Sequence, residues 1–436
     1  MADFLHIQEP QAQPTLARPA WGAFLELAFR PLYIAGALWA IVAVLLWVHS
    51  PTLLTGILNG VYWHAHEMLW GFIATIAVGF LLTAGANWTG INPIKGKPLA
   101  ALCLLWLLTR VAYLLPSAFA FIVAAVAETL FFLGAGAAMG RAVYAAKSQR
   151  NYGVPPLMLA LGAANVLFLW ALWQGKDYAL LMQRFDTGLL CMAVIALLVA
   201  RRVIPFFAMR AIAGLQIPMH VQTGHVQLTL GVLAVLAGLA SWPVPMAAFL
   251  AVAGVLALWQ VLAWRPLAVR KVPLLWVLYM GYAALGIGLL VAAAQLLPSA
   301  WTGLMLRSAW PVHIIGVGGF AVLIIGMITR TALGHLGRPL AADGLMVCCY
   351  VLLVAAALLR LVALALLGQV GQGVYSAVLY ASACSWSLAF ALYLWRFVPM
   401  LIRPRLNLPP LAPLAGAKTA GKPITLRPAT IPVKKA

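Results

Sequence analysis

The chain has 436 residues, of which 65% are hydrophobic and only 8% are charged, and its mean hydropathy is +1.01. Soluble domains contain roughly 45–50% apolar residues, so this composition excludes an ordinary soluble enzyme and predicts a polytopic membrane protein. The formal net charge of +20 is of the kind found in nucleic-acid-binding proteins. However, the basic residues lie beside the ends of apolar runs, where the positive-inside rule and anionic lipids account for them, and we expect no nucleic-acid binding.

Twelve apolar runs follow one another along the chain, each close to the length of about 20 residues that a membrane-spanning helix needs. The runs are apolar on all sides instead of alternating, which disfavours a transmembrane barrel. The predicted fold is therefore all-α, with about twelve transmembrane helices in residues 31–402. The runs cover residues 32–50, 62–87, 98–115, 117–140, 154–175, 179–200, 225–241, 244–264, 273–297, 306–330, 342–367 and 373–400.

The two ends of the chain and the connections between runs predict a topology. Residues 1–30 are expected to be a cytoplasmic segment without a cleaved signal peptide. Residues 403–436, rich in Pro, Lys, Ala and Thr, predict a disordered basic tail. Lys and Arg are concentrated in alternate connections, whereas the other connections hold only Lys176, Arg184 and Arg307. Both termini are thus predicted to be cytoplasmic.

The histidines divide between the two predicted sides of the membrane. His49, His64, His66 and His313 lie at the extracytoplasmic ends of runs, whereas the cytoplasmic ends hold His220, His225 and His335. Histidine is the commonest transition-metal ligand, and ionisable groups inside a membrane are expensive, so the pattern predicts one metal centre near each leaflet. The alternative for any single histidine is an ordinary interfacial polar residue.

Helical geometry limits how the outer ligands combine. His64 and His66 point about 200° apart on a helix, so both can bind one ion only where the segment is unwound. His64 shares a face with Met68, and this imidazole and thioether pair suits Cu(I). If the segment is helical, His66 turns to another span, with His313 as its candidate companion. We predict that His64, His66 and His313 form the outer centre.

Further charged groups fall within or near the runs. Glu67 adjoins the predicted outer ligands and is the candidate proton donor. Arg110 and Arg360 are candidates to bind the carboxylates of a cofactor such as haem, and Glu128 is a candidate proton relay. Structural ion pairing is the alternative for each of these groups and for Asp186.

Runs two and ten share a pattern that hints at a diverged internal repeat. Each begins with Trp and His and ends in a polar, glycine-containing turn, at Gly85–Gly90 and at Gly334–Arg338. Two short matches of this kind are weak evidence of a repeat.

Taken together, these segments resemble the NnrS family, which comprises haem- and copper-containing membrane proteins of the bacterial nitric oxide response. The resemblance spans nearly the whole chain. Where the family commonly has Thr, this chain has Leu336, which removes a hydrogen-bonding side chain. The matching elements are Phe29-Arg30-Pro31, Trp63-His64-Ala65-His66-Glu67-Met68, Gly71-Phe72, Gly79-Phe80-Leu81-Leu82-Thr83, Asn87-Trp88-Thr89-Gly90, Arg201-Arg202-Val203-Ile204-Pro205-Phe206, Thr329-Arg330 and Leu333-Gly334-His335-Leu336-Gly337-Arg338.

The resemblance implies b-type haem, copper and a role against nitric oxide stress in the bacterial inner membrane. A haem beside a copper ion provides two adjacent electron-rich sites, which favours reduction of NO to N2O with quinol as electron donor. Two other classes stay open. A secondary transporter has the same number of spans, and a haem or copper delivery protein needs the same ligands without redox turnover.

Overall fold

A computed structural model of the protein describes residues 18–218, 221–298, 301 and 307–406. These residues form helices and no strand. Eleven of the helices are long and apolar enough to cross a membrane, which confirms the predicted all-α polytopic membrane protein. The predicted tail from residue 407 onwards and the first 17 residues lie outside the described part of the chain.

Each predicted run corresponds to a helix, and we number the long helices α1 to α12. The third, of 17 residues, is too short to count among the eleven. The bounds are α1 Phe29–His49, α2 Gly60–Thr89, α3 Gly96–Ala112, α4 Ala118–Ala145, α5 Val154–Trp173, α6 Tyr178–Ala211, α7 Val221–Leu239, α8 Pro243–Ala263, α9 Pro273–Leu296, α10 Ala309–His335, α11 Gly344–Leu366 and α12 Gln372–Leu401.

Three helices form the centre of the bundle. Among the eleven long helices, α2, α6 and α10 have the largest buried share, and each contacts the other two. Most of the other helices pack against their neighbours in chain order, and α12 closes the arrangement by packing on α1. Polar groups on the three central helices are therefore held away from lipid, where an ionisable side chain is tolerated.

The connections on one face of the bundle are joined by hydrogen bonds from arginines to backbone carbonyls. Arg30 Nη1 donates to the carbonyl of Leu401 at 2.9 Å, and Arg141 Nη2 donates to that of Pro93 at 2.8 Å. Arg30 lies at the start of α1 and Arg141 near the end of α4, at helix ends that the charge distribution assigns to the cytoplasmic side.

Candidate functional site

The two central helices α2 and α10 each contain a π-helical segment that begins directly after a histidine. In α2 the segment Glu67–Ala74 follows His66, and in α10 the segment Ile314–Ala321 follows His313. The two segments are in contact. The wider π-helical turn is rare and occurs frequently at functional sites. The region where these two segments meet is therefore a candidate functional site.

The same two helices show a repeat that extends the pattern seen in the sequence. Trp63 and His66 match Trp310 and His313 at equal spacing, and the match continues through Gly71 with Gly318 and Gly79 with Gly326. It ends at Gly90 and Gly337, which adopt positive φ values of 74° and 70° and terminate the helical segments. The residue that follows the shared histidine differs, because Glu67 corresponds to Ile314.

A cavity of about 340 Å³ lies beside the π-helical segments. Most of its wall is apolar, including Val44 and Leu69, with the tryptophans Trp47 and Trp386. Its lining also includes the exposed residues Val61 and Tyr178, which place its mouth at the end of the bundle opposite the basic face. The polar and sulfur-containing groups in the wall include His64, Met68, Asp186, Gln295, His313 and Arg360.

His64 and His313 face each other in this cavity. Their ring centroids are 6.4 Å apart with an interplanar angle of 21°. His64 also stacks on Trp47 at 5.0 Å, and its Nδ1 is buried without a hydrogen-bond partner. The Nδ1 of His313 lies 2.7 Å from the carbonyl oxygen of Ala309, so this nitrogen donates and Nε2 is the candidate ligand atom of the ring. The two imidazoles are thus candidate ligands of a metal ion.

Two ionisable side chains complete the polar lining of the cavity. The positive charge of Arg360 acts on both His64 and His313. Asp186 comes from the central helix α6 and lines the same cavity. The cavity therefore holds a cation and a carboxyl group next to the imidazole pair.

His66 belongs to a different environment. Its side chain is fully buried, and it does not line the cavity. Its Nδ1 lies 2.9 Å from Glu67 Oε1, and its Nε2 lies 3.0 Å from both Glu128 Oε2 and Asn165 Oδ1. Both ring nitrogens are thus occupied by oxygen acceptors. The predicted convergence of three imidazoles is not observed, because His66 turns to these partners and His313 pairs with His64 instead.

Arg110 connects the two carboxylates of this buried cluster, which we call the ion network. Its terminal nitrogens bind Glu67 and Glu128, and Tyr113 donates a hydrogen bond to Glu128 at 3.3 Å. With an imidazolium at His66, two positive charges balance two negative ones, the arrangement that makes buried charge tolerable. The predicted cofactor-binding Arg110 and the predicted proton donor Glu67 thus lie in the ion network.

Gly71 allows the ion network to approach the backbone of α2. A Cβ atom at this position would lie 2.5 Å from Arg110 Nη1, 2.7 Å from Glu67 Oε2 and 2.8 Å from Trp39 Nε1. The indole of Trp39 donates to Glu67 Oε2 at 2.6 Å, which adds α1 to the helices that the network joins. The π-helical segment is thereby fixed on the side that faces away from the cavity.

The remaining predicted histidine ligands are dispersed. His49 is exposed and stacks on Tyr380 at 4.9 Å, and His225 is exposed on α7. His335 is half-buried at the end of α10, with its ring 5.3 Å from that of Phe29. His220 lies outside the described residues. Within the described part of the chain, no group of three or more His, Cys, Asp and Glu side chains has the spacing of a metal site, so the inner centre stays a prediction.

Sequence reasoning did not assign a role to two residues that the structure makes prominent. For Asp186 the sequence leaves structural ion pairing and a functional role equally open, and its position within or near a predicted span is the signal that points to it. Asn165, an amide within the apolar helix α5, binds His66 and is buried. An amide in an otherwise apolar span indicates a polar partner, but it does not indicate which one.

A helical bundle with a cavity that contains paired imidazoles defines a polytopic membrane protein with a candidate metal or cofactor centre. The family model described as NnrS protein matches residues 23–405, and the chain therefore belongs to the NnrS family. Membership of this family suggests a membrane protein of the nitric oxide response. No curated protein matches the sequence.

Proposed function

We propose that this protein binds haem b and copper and reduces nitric oxide to N2O at the cavity between α2, α6 and α10. The observation that carries the proposal is the pair formed by His64 and His313, at a centroid separation of 6.4 Å. Two imidazoles that bind one ion through bonds of about 2.0–2.1 Å have ring centres up to roughly 6.5 Å apart. The choice of haem b, copper and nitric oxide rests on the resemblance to the NnrS family stated above.

The side chains in the cavity fit these groups chemically. The unpartnered Nδ1 of His64 and the Nε2 of His313 are candidate ligands to iron or copper, and the Met68 thioether suits Cu(I). Arg360 is the candidate partner of a haem propionate, because a guanidinium binds a carboxylate through two parallel hydrogen bonds. A Cβ atom at Gly316 would meet nothing within 4 Å, which leaves room beside α10 for a flat ring.

The reaction combines two NO molecules, two electrons and two protons into one N2O and one water. When bound, haem and copper supply the electrons and two adjacent sites for NO. The mostly apolar wall of the cavity limits access of bulk water to the reacting groups. NO dissolves in lipid and reaches a cavity within the bilayer directly. Quinol is the proposed electron donor, because it carries the two electrons that one turnover consumes.

We further propose that the protein resides in the bacterial inner membrane with both termini in the cytoplasm. The concentration of Lys and Arg in alternate connections of the sequence supports this orientation. The mouth of the cavity then opens on the extracytoplasmic side.

Purified protein and two single variants test the proposal. We expect the wild type to contain haem and copper by absorption spectroscopy and metal analysis. His64→Ala and His313→Ala should each lower the occupancy of one metal, because each removes a ligand. His49→Ala is the matched control, since this histidine is exposed and does not line the cavity. Full metal occupancy in the double variant His64→Ala/His313→Ala would refute the proposed site.

The same samples separate reduction of NO from the two other classes. With quinol and NO, N2O formation by the metal-loaded wild type supports the proposed reaction. Bound cofactors without N2O favour a delivery protein or an NO-binding protein. Colourless protein that accumulates a substrate with protons in vesicles would indicate a transporter.

A further inference from the structure

Asp186 is an ionisable residue in the wall of the cavity. No hydrogen bond or ion pair joins its carboxyl group to another residue in the described part of the chain. It lies on α6, one of the three central helices, in the outer part of a membrane-spanning helix where Gln183, Arg184 and Thr187 are close to it in sequence. A carboxyl group at such a position is expensive and indicates a functional role.

Glu67, the carboxylate that the sequence favours as proton donor, has the opposite surroundings. It is fully buried and does not line the cavity. Trp39, His66 and Arg110 surround its two oxygens with hydrogen-bond donors. A carboxylate held in this way stabilises the ion network and has no free route to a substrate in the cavity.

We propose that Asp186 is the residue that delivers protons to NO reduction in the cavity, an inference that rests on the proposed function. In this reaction an N–N bond forms and one N–O bond breaks, and the released oxygen takes up two protons and leaves as water. Quinol supplies the two electrons and is oxidised to quinone. The Asp186 carboxyl transfers a proton to the released oxygen and regains one from the mouth of the cavity, near the exposed Tyr178.

The mostly apolar wall of the cavity makes a positioned proton donor necessary, because few other groups in it can release a proton to the reacting oxygen.

The experiment compares Asp186→Asn with Asp186→Glu, Glu67→Gln and Asp177→Asn. Asp186→Asn keeps the shape of the side chain but cannot release a proton. We expect it to retain the haem and copper spectra and to lower N2O formation by about 100-fold or more, as for a lost general acid. Asp186→Glu should retain most of the rate. Asp177→Asn is the control on the same helix: Asp177 is an exposed N-cap outside the cavity, and Asn also caps helices well.

A second readout does not depend on turnover. The infrared difference spectrum between the oxidised and reduced protein should contain a carboxyl band that is lost in Asp186→Asn and shifted in Asp186→Glu. The band should persist in Glu67→Gln and Asp177→Asn. An unchanged band together with wild-type N2O formation in Asp186→Asn would overturn the inference. Absence of N2O from metal-loaded wild type would overturn the proposed reaction, and the infrared band alone would then decide whether Asp186 exchanges a proton.

Discussion

His64 and His66 are separated by one residue, yet they belong to different sites. Residues two positions apart point about 200° away from each other on a helix. Sequence geometry indicated different partners for a helical segment, but the prediction grouped His64, His66 and His313 in one centre, which the structure does not show. The carboxylates of Glu67 and Glu128 attract His66 into the ion network, whereas Ile314, at the position that corresponds to Glu67, leaves His313 free to face the cavity. The partners of a histidine depend on long-range neighbours that a single sequence does not display.

The ion network should contribute strongly to stability. Arg110→Ala leaves Glu67 and Glu128 buried without their common cation, which costs about 3–5 kcal/mol for a buried pair. We therefore expect a large decrease in the melting temperature of the detergent-solubilised protein. Arg396→Ala is the matched control. Arg396 forms an ion pair with Asp343 at the surface, where the two side chains are 40% and 39% exposed, respectively. Loss of that pair should cost roughly 0–1 kcal/mol.

Equal melting temperatures for Arg110→Ala and Arg396→Ala would contradict this assignment. The conservative change Arg110→Lys keeps the charge but cannot bind both carboxylates in the same planar geometry. Its melting temperature should lie between those of wild type and Arg110→Ala.

At the scale of helices, hydropathy predicted where the spans lie but not their internal geometry. Each of the twelve apolar runs is helical, since a backbone in lipid must satisfy its own hydrogen bonds. The π-helical segments carry the same apolar residue types as ordinary spans, so no pattern in the sequence distinguished them. Packing contacts help to explain the π-helical segment of α2. The indole of Trp106 donates to the carbonyl of Gly71, within the segment, and to Thr75 Oγ1, directly after it.

Gly71→Ala should disrupt the π-helical segment of α2. The added methyl group would collide with Arg110, Glu67 and Trp39, whose positions are fixed by the ion network. We expect a lower melting temperature and loss of the cofactor that depends on His64, which lies just ahead of this segment. Both quantities are measurable on the same purified sample.

Gly134→Ala provides the control for this prediction. Gly134 lies within α4, and a Cβ atom there would meet only Leu102 Cδ1 at 3.4 Å, an ordinary contact. Alanine also has the higher helix propensity. A Gly71→Ala protein as stable and as well loaded with cofactor as Gly134→Ala would show that the close approach to the backbone is not required.

At the scale of the whole molecule, the sequence predicted the membrane class and where the apolar helices lie, whereas the topology derived from the basic connections stays a prediction. The sequence did not predict the cavity, because His64, Asp186, His313 and Arg360 come from four helices and meet only after the bundle has packed. Apolar periodicity carries information about lipid exposure, whereas the closure of a polar cavity depends on which helices become neighbours.

The orientation of the bundle gives the last prediction. The positive-inside rule assigns the face that contains Lys97 to the cytoplasm and the face that contains Lys176 and the mouth of the cavity to the exterior. Both lysines are exposed in short connections or at a helix end, so Lys97→Cys and Lys176→Cys are matched in charge and accessibility. A membrane-impermeant maleimide applied to intact cells should label only Lys176→Cys. Lysis should then allow labelling of Lys97→Cys as well.

The unsubstituted protein sets the background of this measurement, because its cysteines in the described residues all lie within helices of the bundle. Labelling of Lys97→Cys in intact cells, with Lys176→Cys protected until lysis, would show that the topology is the inverse of the predicted one. The mouth of the cavity would then open to the cytoplasm, and protons for Asp186 would enter from that side. The labelling pattern therefore decides from which compartment the proposed reaction takes its protons.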